Sequence, residues 1–287
     1  MNKKKESASL RFLYHTLPGR FVLRLLTCRG ISKLCGAYLD SPLSRGMIGR
    51  FAKKNSIDLS QYEEIEYRNF NQFFARKIKP GLRELDPDRQ AFTSPCDGLL
   101  SAYRISNGLV LPIKQSEYSI SSLLGGDAIA ERYRDGICLV FRLCVDHYHR
   151  YGYIDDGVKG ENIFIPGRLH TVRPIALEAH PVFVENCREY TVMETEHFGT
   201  LTQIEVGALL VGKIKNNHSA GAFARGDEKG CFLYGGSTIV VLAERDAVTL
   251  DERFFEETAN ERETPIKLGE RLGYSKKEIY AKAGSES

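Results

Sequence analysis

The chain has 287 residues, enough to bury a full core in one large domain or two small ones. With 42% hydrophobic and 27% charged residues it has the composition of an ordinary globular protein, which excludes disordered and fibrous classes. The net charge of +3 is unevenly spread: twelve Lys/Arg against three Asp/Glu give residues 1–59 a charge of +9, leaving −6 on the remainder.

From the N-terminus, residues 8–56 read as helical. Leu10, Phe12, Leu13 and Leu17 start an apolar pattern, Pro18-Gly19 interrupts it, and Phe21 to Leu39 resume it. Arg24, Arg29 and Lys33 break the apolar stretches, so no segment reaches bilayer-spanning length and no signal peptide is expected. Basic charge interleaved with Leu, Phe and Ile suits amphipathic helices lying on an anionic membrane surface. A basic hairpin packed on the main domain, its charges merely solvated, fits the pattern as well. Nucleic acid fits poorly, because the rest of the chain is acidic and carries no nucleic-acid motif. Residues 60–78 read as a further helix with Tyr67, Phe70, Phe73 and Phe74 on one face, ended by Pro80-Gly81.

From Phe92 the texture changes to short β-branched runs between Gly, Asp and Asn turns. Strands are expected at Leu99–Ile105, Cys138–Cys144, Leu201–Val206, Leu209–Ile214 and Thr238–Leu242, with a hairpin over Ile266–Gly273. The fold class is therefore α+β. A basic, membrane-facing helical cap over residues 1–59 precedes a mainly antiparallel, barrel- or sandwich-like β domain over residues 60–287. Seven cysteines, an odd set with no C-x-x-C pair, argue against disulfides and zinc knuckles and for a reducing compartment.

Three features could carry chemistry. Ser237 follows two glycines and opens an apolar strand; it is either a turn residue or a serine held in a strained, reactive position. Asp97, before Gly98, suits an Asx turn or an acid. His147 and His149 share one face if the strand Cys138 to Val145 runs on. They could act as acid and base or cap a strand end. No third ligand at zinc spacing accompanies them, so no metal is expected. Ser, His and Asp together allow nucleophilic chemistry, but Thr238 and Ile239 follow the serine, so the hydrolase elbow Gly-x-Ser-x-Gly is absent.

An ordered set of motifs then decides between these readings. It comprises Phe70-Asn71-Gln72-Phe73-Phe74-Ala75-Arg76, Ser94-Pro95-Cys96-Asp97-Gly98, Tyr148-His149-Arg150, Val206-Gly207-Ala208, Arg225-Gly226-Asp227-Glu228-Lys229-Gly230 and Gly236-Ser237-Thr238. In order and spacing the chain resembles the phosphatidylserine decarboxylases, pyruvoyl enzymes made as inactive proenzymes. The likeness runs from about Leu13 to Gly273, and the N-terminal Leu17-Pro18-Gly19-Arg20 resembles the clostridial branch.

The resemblance implies self-cleavage between Gly236 and Ser237 into a β chain of residues 1–236 and an α chain of residues 237–287. The Ser237 hydroxyl attacks the Gly236 carbonyl, the resulting ester eliminates to dehydroalanine, and hydrolysis leaves a pyruvoyl group where Ser237 stood. That ketone forms a Schiff base with phosphatidylserine and accepts electrons as carbon dioxide leaves, giving phosphatidylethanolamine. Residue by residue, Ser237 becomes the cofactor, Asp97 matches the acid of the self-cleavage relay, and His149 matches an active-site histidine and candidate proton donor. Many members carry a second histidine, the relay base, where this chain has Gly152. Either His149 or His147 then serves as the base, or self-processing is slow or lost; intact Asp97 and Ser237 favour a working enzyme. The likeness also implies peripheral attachment to the cytoplasmic side of the cell membrane and a homodimer. The alternatives are a pyruvoyl decarboxylase of a soluble amino acid, or a non-catalytic membrane-surface relative.

Overall fold

The computed structural model describes residues 8–26, 29–105, 110–113, 116–167, 182–207, 213–233 and 237–276. The N-terminal region is helical as expected: α1 (Ala8–His15), α2 (Leu17–Leu26), α3 (Arg29–Asp40) and α4 (Ile48–Lys54), with a 3-10 turn at Pro42–Met47. The break between α1 and α2 falls at Thr16, not at Pro18-Gly19. Pro18 sits in the first turn of α2, where its missing N–H leaves no bond unmade. The Thr16 hydroxyl oxygen accepts from the Gly19 N–H at 3.1 Å. A Cβ on Gly19 would lie 1.9 Å from the Phe12 carbonyl oxygen, so this corner admits only glycine.

The helix expected over residues 60–78 shrinks to α5 (Phe70–Phe74), whose first turn is capped by Asn69 accepting from the Gln72 N–H. Around it the chain folds back on itself: Tyr62 bridges Ile78, and the Lys79 N–H donates to the Gln61 carbonyl. Glu63, Glu64 and Glu66 leave no apolar face ahead of Tyr67, so nothing rewards a longer helix. The expected aromatic grouping survives in another form. Phe70, Phe73 and Phe74 are fully buried with Leu39 and Ala52, and Tyr67 packs against them.

Among the described residues seventeen strands follow: β1 (Ala91–Thr93), β2 (Gly98–Arg104), β3 (Val110–Ile113), β4 (Ser116–Ser119), β5 (Ile137–Leu143), β6 (Arg150–Gly152), β7 (Gly157–Lys159), β8 (Ile163–Ile165), β9 (Arg188–Thr195), β10 (Gly199–Val206), β11 (Ile214–Asn216), β12 (Gly221–Phe223), β13 (Glu228–Phe232), β14 (Ser237–Ala243), β15 (Val248–Leu250), β16 (Thr264–Ile266) and β17 (Arg271–Ser275). Short helices α6 (Ile120–Leu123), α7 (Val182–Glu185) and α8 (Glu252–Ala259) lie between them. The central sheet is antiparallel and nine-stranded, in the order β12-β7-β9-β10-β14-β5-β2-β16, with β8 also on β9. Smaller sheets are β1-β17-β15, β11-β13-β6 and β3-β4.

The expectation of an antiparallel α+β fold is met, with three differences. Edge strands β12 and β16 do not pair with each other, so no barrel closes among the described residues. Residues 266–273 do not form a hairpin: β16 pairs with β2, whereas β17 pairs with β1 and β15. The glycine at 269 (φ +83°) turns the chain from one sheet into another. Of the strand expected at Leu209–Ile214, residues 209–212 lie outside the described residues, and the described strand starts at Ile214.

β14 runs through the middle of the central sheet with all seven residues buried. Its side chains alternate between two cores. Val240 and Leu242 join Ile204, Val206, Tyr14 of α1 and Leu23 of α2. Ile239 and Val241 join Phe141, Tyr151 and Phe232 on the opposite face. A strand buried on both faces explains the continuous apolar run that follows Ser237.

Candidate active site

Ser237 is the first residue of β14, opposite Leu143 of β5. Alternation puts its side chain on the Ile239 face, towards Phe141, Tyr151 and Phe232. It is 1% exposed, and its Oγ has no hydrogen-bond partner among the described residues. An unpaired buried hydroxyl costs about 1–3 kcal/mol, a penalty that a mere turn serine would avoid by facing water.

His149 lies just before β6. The strand β5 does not run on to it: it ends at Leu143, and a turn closed by His147 N–H donating to the Cys144 carbonyl intervenes. The expected sharing of one strand face by His147 and His149 therefore fails. His147 is half-buried, and its Nδ1 accepts from the Cys144 N–H at 3.2 Å. His149 is 1% exposed, with the Phe74 ring 4.1 Å away. Its Nδ1 lies 2.9 Å from the His147 carbonyl oxygen. A carbonyl only accepts, so Nδ1 carries the proton and Nε2 the lone pair. That Nε2 is buried and has no partner among the described residues. Burial, reinforced by the Arg76 charge, pushes the imidazole down to about 3, so it is neutral at physiological pH.

Backbone pairing tethers the segments that carry these two atoms near the start of β14. Ser237 pairs with Leu143, six residues before His149. The His149 carbonyl accepts from the N–H of Phe232, five residues before Ser237. Gly236, on the other side of the expected scissile bond, lies outside the described residues.

Asp97 occupies the same end of the sheet but a different position. Leu99 pairs with Arg142, which pairs with Thr238, so two strand spacings, about 10 Å, separate the β2 start from the β14 start. The Asp97 carboxylate accepts from Arg83 Nε at 2.8 Å and Nη2 at 2.6 Å, and from the Leu268 N–H at 2.9 Å. Among the described hydrogen bonds none joins it to His149. The histidine is oriented by a backbone carbonyl instead.

Gly152, where a second histidine was expected, sits in β6 and donates its N–H to the Pro95 carbonyl. A Cβ there would lie 3.1 Å from the Asp227 carbonyl oxygen, so β6 packs tightly on the 226–227 turn. Cys144, Asp146 and His147 bring ligand atoms within 4.8 Å of one another. Two donors are engaged, however: Arg142 donates to the Cys144 sulfur, and His147 Nδ1 accepts from the backbone. Burial also pushes the Cys144 thiol up, away from the thiolate that a metal would need.

Sequence reading assigned no role to four charged residues. Arg83 clamps Asp97, and Arg76 reaches the turn before His149. Lys229 pairs with Glu205 at 2.7 Å, both fully buried. Glu205 is opposite Ile239, so this pair shares the face of Ser237, one diagonal neighbour away. Gln203 and Glu205 alternate with Ile204 and Val206, a pattern that reads as an outward polar face, yet β10 is buried on both faces. For Arg83 the sequence offers no signal, whereas Arg76 closes the Phe70–Arg76 motif and Lys229 stands in the Arg225–Gly230 motif.

A family model for phosphatidylserine decarboxylase matches residues 70–274, well over half of the chain. The chain belongs to the phosphatidylserine decarboxylase family. Phosphatidylserine decarboxylase proenzyme 2 of Clostridium acetobutylicum is 44% identical over 272 residues, covering 94% of this chain and 93% of its own. The proenzymes of Ruminiclostridium cellulolyticum and Desulfitobacterium hafniense are 40% and 37% identical over 270 residues, each covering 92% of this chain and at least 90% of their own. Phosphatidylserine decarboxylases are carboxy-lyases made as proenzymes, with a pyruvoyl group derived from a serine. Ser237 fits that origin: a buried hydroxyl on Cβ, without a partner among the described residues, at the start of a central strand.

Proposed function

We propose that this chain is a self-processing phosphatidylserine decarboxylase in which Ser237 is the pyruvoyl precursor and neutral His149 is the base that starts processing. The observation that carries this reading is the pair of buried atoms, Ser237 Oγ and His149 Nε2, each without a partner among the described residues, on segments tethered near the start of β14. In the proenzyme the Ser237 proton passes to His149 Nε2 as Oγ attacks the Gly236 carbonyl. The peptide C–N bond breaks, the Ser237 nitrogen gains a proton and becomes an amine, and an ester joins the two chains. The nitrogen takes that proton from His149, which is neutral again once the ester has formed and can accept another in a later step. Processing gives chains of residues 1–236 and 237–287.

The pyruvoyl group, when formed, supplies a ketone that serves as electron sink for loss of carbon dioxide. The chain's own residues supply the surroundings. Phe74, Phe141 and Tyr151 exclude water, and the Glu205–Lys229 pair places charge beside the reacting position. Asp97, held by Arg83, acts from about two strands away as a fixed negative charge and not by touching His149.

The helical N-terminus is the membrane-binding element in this proposal. α1 and α2 bury Tyr14 and Leu23 yet leave Phe12, Leu17 and Phe21 exposed, Leu17 by 82%. Leu34 and Leu43 are exposed beside Lys33 and Arg45. Apolar side chains with basic neighbours suit peripheral binding to an anionic bilayer, where the lipid substrate resides. No helix among the described residues is long and apolar enough to cross a membrane.

The test is His149→Ala alongside Ser237→Ala, each followed on denaturing gels. The proposal requires both to remain uncut. Normal cutting of the folded His149→Ala protein would remove His149 as the base.

A further inference from the structure

Arg76 follows α5 and is 1% exposed. Its Nη2 donates to the His147 carbonyl, the Asp146 carbonyl and the Tyr62 hydroxyl, each at 3.2 Å. The guanidinium stacks over the Tyr62 ring, 4.3 Å from its centroid. Among the described residues its buried Nε has no partner and no carboxylate pairs with the guanidinium. A buried cation satisfied only by carbonyls and a phenol is an expensive arrangement for packing alone.

The acceptor that Arg76 fixes is the carbonyl that orients His149. One lone pair of the His147 oxygen faces Arg76 Nη2, and the other takes the Nδ1 proton of His149. We infer that Arg76 is a positioning residue for self-cleavage: by holding the His147 carbonyl it locks His149 in the tautomer that presents a bare Nε2. This rests on His149 being the base. The guanidinium does a second thing from the same place. The groups whose charge bears on His149 are Arg76 and His147, both disfavouring an added proton, with the apolar Phe74 ring on a further side. Arg76 thus keeps the imidazole neutral, after burial itself.

The experiment uses the full chain. In the uncleavable Ser237→Ala background, nitrogen-15 NMR of labelled histidine reports the His149 tautomer and its titration. The parent should show Nδ1–H and no titration between pH 8 and 5. Arg76→Gln should lose the fixed tautomer and move the midpoint up, towards 6.5. Arg76→Lys, which keeps the charge but not the fork, should stay neutral to pH 5 with the tautomer less fixed. In cleavable protein made by cell-free synthesis, the parent should cut at a rate flat from pH 8 to 5. Arg76→Gln should cut at least tenfold more slowly and lose about tenfold more per pH unit below its new midpoint. An unchanged His149 tautomer and titration in folded Arg76→Gln would overturn the inference, as would an unchanged tautomer in Arg76→Lys should the glutamine variant not fold. The NMR arm does not depend on cleavage, so failure of His149 as base would show separately, as normal cutting in His149→Ala.

Discussion

His149 Nδ1 lies 2.9 Å from the carbonyl oxygen of His147, and that contact decides which end of the imidazole can accept a proton. The ring is neutral, and among the described residues neither its Nε2 nor the Ser237 hydroxyl has a partner. Proton transfer from Ser237 therefore needs no prior deprotonation of the base at physiological pH.

The low proton affinity of His149 also bears on stability. Its folded value, about 3, lies below the ordinary 6.5, so the unfolded chain binds more protons between those limits. Stability present above pH 6.5 is then lost as pH falls towards 3, by up to a few kcal/mol. In the Ser237→Ala background, His149→Gln should unfold with a shallower pH dependence over that window, read from urea midpoints.

Arg83 and Asp97 form a bidentate pair with both side chains only 9% exposed. Arg83→Met leaves the carboxylate with the Leu268 N–H alone and should destabilise by about 3–5 kcal/mol. Arg83→Lys keeps the charge but not the fork and should lose less. Equilibrium urea unfolding of uncleavable protein checks both.

Lys229 and Glu205 are buried completely, within a network that includes Asn216 and Gln203. Lys229→Met should cost about 3–5 kcal/mol by stranding Glu205. Adding Glu205→Gln should restore much of that loss, because the uncompensated charge disappears. A double-mutant cycle on uncleavable protein measures the coupling.

Leu17 and Phe21 should carry membrane binding. Burying each in a bilayer is worth roughly 1.5–3 kcal/mol, so Leu17→Asp and Phe21→Asp should each weaken vesicle binding at least tenfold. Vesicles containing phosphatidylserine, sedimented with the protein at low and high salt, provide the assay. Self-cleavage should be unchanged in both variants.

Much of this was legible in residues whose local pattern and tertiary role agree. The run after Ser237 reads as a central strand because both its faces are buried. The α1–α4 region reads as helical because its apolar spacing is regular. Sequence pattern failed where a long-range contact overrides it. The turn after Leu143 is held by Arg76, some seventy residues away in sequence, so the alternation expected to align His147 with His149 stops short. Residues 60–78 fold back through the Tyr62–Ile78 bridge, which no periodicity announces. Asp97 was legible as a site residue, but its partner Arg83 was not, since the thirteen intervening residues carry no sign that the two meet.

The central claim is that the chain cuts itself before Ser237, and the intact mass of purified protein tests it most directly. The account predicts two species, residues 1–236 and a 51-residue piece starting with a pyruvoyl group, and a single 32.3 kDa chain for Ser237→Ala. A full-length 32.3 kDa chain with serine intact at 237 in the folded parent protein would contradict it.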